Sequence, residues 1–219
     1  MKKIFISSIL ITISISLFSQ GLKLGIGVNP QISWLKPDIS KVTNNGNKIG
    51  VGFGLNADIF FTKNYAFSTG LNIYNTGGKL KFNDTVDIHT LDSTFEIPAG
   101  SSVTYKLQYI DIPLGLKFKT KKFGYFSYYG YVGIIAQINI AAKADVDDIF
   151  SDVGISDEIT FFNMGYNIGG GIEYSLGGST ALTAGLLYTN GFIDITSDEN
   201  KSKDKTFINS MALRIGIIF

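Results

Sequence analysis

Eight stretches of the chain alternate between apolar and polar residues, and gaps of two very different lengths separate them. In the stretch Phe161–Leu176, for example, the even positions are mostly large and apolar, while the odd positions are mostly Gly and Asn. A period of two residues predicts β-strands with one apolar face. The predicted strands are Leu22–Ser33, Ile49–Phe61, Tyr65–Leu80, Ser102–Phe118, Tyr125–Ala141, Phe161–Leu176, Thr180–Ile193 and Phe207–Phe219.

The gaps between these strands alternate strictly between short turns and long polar stretches. The short gaps are Thr62–Asn64, Thr120–Gly124 and Gly177–Ser179, and the long gaps are Trp34–Lys48, Lys81–Ser101, Ala142–Thr160 and Asp194–Thr206. This alternation places all the short turns at one end of an antiparallel sheet. It predicts an all-β fold, an eight-stranded antiparallel up-and-down transmembrane β-barrel. In such barrels the short turns and both termini face the periplasm, and the long loops are extracellular.

The residues of the polar face distinguish a membrane barrel from a soluble one. A soluble sandwich or ligand-binding barrel also alternates, but its inward face must supply an apolar core. Here the second face carries Gly, Asn, Ser and single charges, which suit the crowded polar lumen of a small barrel. We therefore expect the apolar face to contact lipid and the polar face to line the lumen.

Aromatic residues are bunched at the two ends of the predicted strands, as expected for belts at the two membrane surfaces. Those beside the short turns are Phe60, Phe61, Tyr65, Phe67, Phe118, Phe123, Tyr125, Phe126, Tyr174 and Phe219. Those near the long loops are Trp34, Tyr74, Tyr105, Phe161, Phe162, Tyr188, Phe192 and Phe207.

The N-terminal segment predicts a cleaved signal peptide covering residues 1–19, which leaves residues 20–219 as one barrel domain. Lys2 and Lys3 precede an apolar run from Ile4 to Phe18, and Ser19 is a small residue suited to the cleavage site. The alternative, an N-terminal membrane anchor, would need about 20 apolar residues, more than this Ser- and Thr-containing run offers. The protein is therefore expected to be exported to the outer membrane.

Charge and cysteine content argue against several classes of function. The chain has 19 Lys and Arg and 18 Asp and Glu, and two of the bases, Lys2 and Lys3, lie in the predicted signal peptide. The mature chain therefore has 17 basic and 18 acidic residues, and no basic footprint indicates binding to nucleic acid. Because the chain contains no Cys, it has neither disulfides nor thiolate metal sites. No cofactor is expected.

Six charged residues fall on the predicted inward face, in the half of the barrel near the short turns. They are Lys23, Asp58, Asp111, Lys117, Glu173 and Arg214. Because unpaired charges in a lumen filled by side chains are costly, these three bases and three acids predict an ion-pair plug. Arg214 is the predicted centre, with Glu173, Asp58 or Asp111 as its partners. The alternative is a set of charges near the barrel mouth that are each solvated.

Several segments carry a resemblance to a known family. Gly70–Tyr74 with Gly77–Lys79, Tyr109–Phe118 and Gly169–Tyr174 resemble landmarks of the PorT-like outer-membrane β-barrel family of Bacteroidetes. The most specific segment is Tyr-Ile-Asp-Ile-Pro-Leu at Tyr109–Leu114, where members of that family typically have an acidic residue before Ile-Pro or Leu-Pro. The resemblance covers the whole mature chain and implies a small outer-membrane barrel. For the namesake of the family it also implies a role in type IX protein secretion.

The last strand resembles the C-terminal signal that the outer-membrane barrel assembly machinery reads. Leu213, Ile215, Ile217 and Phe219 form an apolar alternation that ends on Phe. Strand addition to an exposed edge is a mechanism for capturing such a segment before the barrel closes. The expected partners are outer-membrane lipid and lipopolysaccharide, the assembly machinery during insertion, and secretion or envelope proteins.

Two loop features could carry chemistry, and neither predicts an active site. The single histidine, His89, lies near Asp87, Asp92 and Ser93, but proximity within a loop does not define a catalytic triad. The acidic stretch Asp145–Glu158 has the oxygen ligands that hard cations prefer, but its spacing matches no calcium-binding loop. The sequence therefore predicts a non-enzymatic barrel with a structural or accessory role. A lipid A-modifying enzyme and a small passive pore are the alternatives.

Overall fold

The described part of the chain folds almost entirely into β-strands. The structure, a computed structural model, describes residues 21–38, 41–89, 94–146, 149–197 and 205–219, so the predicted signal peptide lies outside the described residues. The strands are β1 (Leu22–Pro37), β2 (Val42–Phe60), β3 (Tyr65–Phe82), β4 (Val86–His89), β5 (Thr94–Ile97), β6 (Ser102–Lys119), β7 (Phe126–Val146), β8 (Phe150–Gly154), β9 (Phe162–Gly177), β10 (Thr180–Gly191) and β11 (Thr206–Ile218). A short 3₁₀ helix, Ser156–Glu158, follows β8. No helix in the described part of the chain is long and apolar enough to cross a membrane.

Eight long strands form one closed antiparallel barrel. Their order around the wall is β6-β3-β2-β1-β11-β10-β9-β7, and the pairing of β6 with β7 closes the circle. Each wall strand pairs with the wall strands that precede and follow it in the chain, and the first pairs with the last. The predicted eight-stranded up-and-down barrel is therefore confirmed.

The two ends of the barrel differ in the length of their connections. The turn end, as we call it, carries the short connections 61–64, 120–125 and 178–179. The loop end carries the long connections 83–101, 147–161 and 192–205, and two of these contain structure of their own. β4 and β5 form a separate two-stranded hairpin, and β8 pairs with the last part of β7. The fourth connection there, 38–41, has only four residues, so the predicted long gap Trp34–Lys48 is wrong and the strict alternation of short and long gaps fails at this point.

In the turn-end half of the barrel, apolar side chains cover the outside and polar side chains fill the inside. On β6 the outward-facing Leu114, Leu116 and Phe118 are 40%, 43% and 42% exposed. Lys117, which lies between two of them in sequence, is 6% exposed and faces the lumen. This half has the arrangement that the sequence predicts for a wall with lipid outside and a polar lumen inside.

In the loop-end half this arrangement is reversed. The alternation of β6 continues without a break, but its inward-facing side chains are now the apolar Val103, Tyr105 and Leu107. They join other buried residues in a core that we call the apolar cap, which comprises Leu35, Val42, Leu80, Ile97, Val103, Tyr105, Leu107, Tyr109, Ala142, Ala144, Val146, Ile155, Ile159, Ile195 and Ile208. The expectation that the inward face cannot supply an apolar core is therefore wrong for this half. It holds only where the wall is surrounded by lipid.

Some wall strands extend further toward the loop end than predicted, whereas β9 and β10 are slightly shorter there, beginning at Phe162 and ending at Gly191. β1 ends at Pro37 rather than Ser33, β2 begins at Val42 rather than Ile49, and β7 ends at Val146 rather than Ala141. The physical reason is the reversal of polarity. In β1 and β7 the prediction ended the strand where apolar residues stopped facing outward, but the backbone continues there with Leu35, Ala142, Ala144 and Val146 buried inside. The added part of β2 is mostly polar, and only Val42 of it is buried in the cap.

The long loops also contribute to the apolar cap, although they were predicted to be polar. Four isoleucines that lie outside the eight wall strands are buried in it, each 5% exposed or less: Ile97, Ile155, Ile159 and Ile195. Burying an isoleucine side chain stabilises a protein by about 1.5–3 kcal/mol. These side chains therefore anchor the long loops to the mouth of the barrel.

The aromatic residues divide between the outer belts and the interior. At the turn end, pairs of rings pack on the outer surface with centroids 5.0–6.4 Å apart. Toward the loop end, the rings of Trp34 and Tyr188 lie 6.3 Å apart. Tyr74 and Tyr105 were assigned to this second belt, but each is 7% exposed and lies on the inward face of its strand. Both belong to the interior.

Shortening a buried isoleucine of the apolar cap should destabilise the protein. Ile155→Ala or Ile195→Ala should each lower the free energy of unfolding by about 2–5 kcal/mol, because the deletion leaves a cavity in a packed core. The measurement is the urea midpoint of the detergent-folded barrel, together with the protease resistance of its loops. Ile149→Ala is the matched control, because Ile149 is 41% exposed. Equal effects at Ile149 and Ile155 would contradict a packed cap.

Candidate functional site

A group of charged side chains crosses the lumen in the turn-end half. The ammonium nitrogen Nζ of Lys117 on β6 lies 2.5 Å from Oδ2 of Asp58 on β2 and 2.8 Å from Oε1 of Glu173 on β9. One wall strand separates Lys117 from each partner, β3 on one side and β7 on the other. A single ammonium group therefore joins carboxylates from strands that do not touch each other.

Further contacts satisfy the remaining oxygens of the two carboxylates. The hydroxyl of Ser68 donates to Oδ1 of Asp58 at 2.6 Å, and the ammonium group of Lys119 donates to Oε2 of Glu173. Asp58, Lys117 and Glu173 are buried, and Lys119 is largely so. We call Asp58, Lys117, Lys119 and Glu173 the charged cluster. Because buried charges persist when they are paired and hydrogen-bonded, its two bases and two acids form a balanced set.

Two tyrosines lie beside the charged cluster, and glycines make room for them. The Nζ atom of Lys117 lies 4.7 Å from the centre of the Tyr129 ring, which is a cation–π distance. A Cβ atom at Gly185 would lie only 2.3 Å from the hydroxyl oxygen of Tyr129. A Cβ atom at Gly115 would lie 2.6 Å from the hydroxyl oxygen of Tyr131. Space for these rings therefore explains why the wall carries glycine at both positions.

The sequence predicted that Arg214 is the centre of the ion pairs, and this prediction is wrong. Its Nη2 atom donates to the side-chain oxygen Oδ1 of Asn56 at 2.8 Å, and it forms no ion pair with a described residue. The reason is not its position around the wall, because β11 and β6 each lie one strand away from β2 and β9. Asp58 and Glu173 are already bound by Lys117 and Lys119, and Asn56 of β2 binds the guanidinium group of Arg214 instead.

The other two predicted members of the plug also lie outside the charged cluster. Asp111 is buried, and its Oδ1 atom accepts a hydrogen bond from Nε2 of Gln137 at 2.9 Å. Gln137 in turn accepts one from Nδ2 of Asn163 at 2.8 Å. Lys23 lines the lumen near the turn end and forms no ion pair among the described residues. The structure thus brings together three of the six predicted residues, and a separate polar layer holds Asp111.

Lys119 is a member of the charged cluster that the sequence reasoning missed. It lies two positions after Lys117 and therefore shares its inward face. The predicted strand ended at Phe118, one residue too early, so the period of two was not continued to Lys119. A strand end placed one residue later would have included it.

The lumen beside Arg214 is nearly filled. It contains two small cavities of about 30 and 20 Å³, both lined in part by Arg214. Each has room for one or two water molecules. Between the charged cluster and the apolar cap, the interior is therefore occupied by side chains.

Two acids of the loop-end stretch are already engaged by lysines. Nζ of Lys106 lies 2.6 Å from Oδ2 of Asp145, and Nζ of Lys143 lies 2.6 Å from Oδ2 of Asp152. Partial burial raises the pKa of Asp145, but hydrogen bonds from Lys106 and from the Asp152 backbone outweigh it and hold that pKa below its usual value. Hydrogen bonds from Lys143 and Lys106 likewise lower the pKa of Asp152. These contacts support a structural interpretation of the acidic stretch over a cation site.

Part of the loop chemistry considered from the sequence lies outside the described residues. Asp92, Ser93, Asp147 and Asp148 are among them, and the side chain of His89 is not described. Within the described ranges, no group of three His, Cys, Asp or Glu residues is placed to hold a metal ion.

The apolar residues proposed as an assembly signal lie on the outer surface of the last strand. Leu213, Ile215, Ile217 and Phe219 are all exposed there. The backbone of Phe219 also exchanges two hydrogen bonds with Leu24 of β1, with N–O distances of 2.8 and 3.0 Å. The last residue therefore takes part in closing the barrel between its first and last strands.

Neutralising the centre of the charged cluster should destabilise the barrel strongly. Lys117→Met should lower the free energy of unfolding by about 3–5 kcal/mol, because it leaves Asp58 and Glu173 buried with one fewer cation. Urea unfolding of the protein in neutral lipid vesicles measures the loss. Lys81→Met, at an exposed position near the loop end, removes the same charge and should have little effect. A larger loss for Arg214→Met than for Lys117→Met would contradict the assigned centre.

Several solved structures of outer-membrane proteins are similar to this chain in fold. The chain resembles the crystal structure of neisserial surface protein A, with a TM-score of 0.50 and 14% identity over 91% of this chain and 98% of that one. It also resembles the outer membrane protease OmpT of Escherichia coli (TM-score 0.46, 8% identity, 90% and 96% covered). A third similar structure is OprG of Pseudomonas aeruginosa (TM-score 0.41, 13% identity, 91% and 95% covered). At these identities the likeness concerns the fold alone.

A family model gives the more direct assignment. No curated protein matches the sequence. The model of the outer membrane protein beta-barrel domain matches residues 17–197, which is more than half of the chain and includes all the wall strands except β11. With its closed eight-stranded wall, this chain belongs to the outer membrane protein beta-barrel domain family and is an outer-membrane protein.

Proposed function

We propose that the protein is a non-enzymatic, closed barrel with a structural or accessory role in the outer membrane. The observation that carries this proposal is the obstruction of the lumen at two levels. The charged cluster crosses it in the turn-end half, and the apolar cap fills it in the loop-end half. A filled lumen supports a function at the surfaces of the barrel rather than through it.

A lipid A-modifying enzyme is the first alternative. It would need a general base and a nucleophile on the lipid-facing rim, within reach of the lipid. The outward side chains of the turn-end half are apolar, and the charged groups that the structure brings together there lie in the lumen, paired with one another. These observations support the non-enzymatic interpretation.

A small passive pore is the second alternative, and it predicts a different electrical behaviour. The purified protein should show little or no steady conductance in planar bilayers, because side chains occupy its interior. The double variant Tyr105→Ala and Ile195→Ala should not by itself raise the conductance, because the charged cluster still crosses the lumen in the turn-end half. A large and stable open channel in the unmodified protein would rule out the closed-barrel proposal.

The orientation that we propose places the long loops outside the cell and the short turns in the periplasm, after removal of residues 1–19 on export. The protein should then fractionate with outer membranes and show heat-modifiable mobility on gels. Tags at Asn45 or Asp152 should be accessible in intact cells, whereas tags at Asn64 or Gly178 should be hidden. The reverse pattern of accessibility would overturn the orientation, and a soluble periplasmic protein would overturn the location.

The terminal residue should affect assembly through its side chain as well as its backbone. Phe219→Ala keeps the two backbone hydrogen bonds to Leu24 but removes the terminal aromatic ring, so it should reduce the amount of folded barrel in the outer membrane if the assembly machinery reads that ring. Deletion of Phe219 should reduce it further. Folded levels that are unchanged in Phe219→Ala would remove the recognition role and leave only the role in closure.

We also propose, from the PorT-like resemblance, an accessory role in type IX secretion. The segment that carries the resemblance, Tyr109–Leu114, supplies Tyr109 to the apolar cap and Asp111 to the polar layer. These side chains have structural tasks in this barrel, and a role in secretion has to be tested in the cell. Normal export of type IX substrates in a deletion strain would remove this part of the proposal.

A further inference from the structure

The mouth of the barrel at the turn end is an open cavity with basic walls. It has a volume of about 600 Å³, and five lysines line it: Lys23, Lys63, Lys119, Lys121 and Lys122. Thr62, Asn64 and Ser127 add polar groups, while Phe60 and Phe61 line it as well, so that much of its surface is apolar. Among the described residues no Asp or Glu side chain lines it, and Glu173 lines a smaller adjoining cavity with Lys23, Lys119 and Lys122. We call this cavity the turn-end vestibule.

The lysines of the vestibule are not neutralised by the protein in its described part. Only Lys119 has a carboxylate partner, Glu173, and it shares that partner with Lys117. Lys122 donates instead to the neutral hydroxyl oxygen of Ser175 at 3.0 Å. Like charges gathered in a partly enclosed cavity repel one another and focus a positive potential toward its opening. The fold therefore gathers positive charge here that its own ion pairs do not use.

We propose that the turn-end vestibule binds a phosphate group. A phosphate monoester or pyrophosphate carries more than one negative charge on several acceptor oxygens, so it can bind several ammonium groups at once. A single carboxylate would neutralise fewer of them. Because the charged cluster closes the lumen behind the vestibule, the phosphate binds at the mouth and is not transported.

Two sources supply this chemistry, a soluble phosphorylated compound and the headgroup of a phospholipid at the adjoining membrane surface. One experiment with two arms distinguishes the soluble compound from the lipid headgroup. In the first, inorganic pyrophosphate is titrated by calorimetry into the protein purified in an uncharged detergent, with sodium chloride matching the ionic strength. In the second, the urea midpoint is measured in phosphatidylcholine vesicles with and without phosphatidic acid.

The double variant Lys23→Gln and Lys122→Gln, which we call the vestibule pair, tests both arms, because neither residue belongs to the charged cluster. Its matched control is Lys79→Gln with Lys81→Gln, which removes the same charge at exposed positions near the loop end. We expect saturable pyrophosphate binding that the vestibule pair weakens at least about tenfold and the control pair leaves unchanged. That result would show that the phosphate group bound in the vestibule comes from a soluble compound.

The lipid arm gives the other supporting result. If phosphatidic acid raises the urea midpoint of the unmodified protein and of the control pair, but not of the vestibule pair, the source is a lipid headgroup. Two results would overturn the proposal. One is the absence of any effect of pyrophosphate and of phosphatidic acid, and the other is an equal loss in the vestibule and control pairs.

Discussion

An eight-stranded wall encloses a lumen so narrow that side chains must fill it, and this constraint governs the interior. In the turn-end half, lipid outside requires an apolar outer face, so the lumen receives the polar residues. Those polar residues have to satisfy one another away from bulk water. Lys117 does so by binding Asp58 and Glu173 across the lumen. In the loop-end half the outer face becomes polar, and the same narrow interior is filled by the apolar cap.

The charged cluster and the apolar cap contribute differently to the stability and geometry of the barrel. A buried ion pair gives little net stability because the loss of hydration offsets the attraction, yet removing one partner is costly. The charged cluster therefore acts mainly as a geometric specification that holds β2, β6 and β9 at fixed distances. The apolar cap has no such directionality. Because Ile155 and Ile195 are buried in it, the cap links the long loops to the wall and limits their freedom at the surface.

The wall could be predicted from the sequence because a period of two is a local signal and eight such signals close into one barrel. The reversal of polarity could not, because the period is the same whether Tyr105 faces outward to a membrane surface or inward to a core. The partners of Lys117 could not be predicted from the sequence either. The alternation gives the face and approximate depth of a residue but not its side-chain partner: Lys117 and Arg214 each lie one wall strand away from β2 and β9, yet the two acids bind Lys117. Lys119 was not predicted to face the lumen because the end of its strand was placed one residue too early.

The charge balance of the interior bears on where function resides. Within the charged cluster two lysines meet two carboxylates, so closure of the turn-end half is complete without any further cation. Lys23, Lys63, Lys121 and Lys122 are therefore not needed to neutralise buried acids, although their mutual repulsion has a cost. A filled lumen also gives these lysines no role in guiding solutes through the barrel. These lysines are therefore available to bind a ligand at the turn-end vestibule. An anionic ligand bound there would neutralise the positive charge that the described acids leave uncompensated.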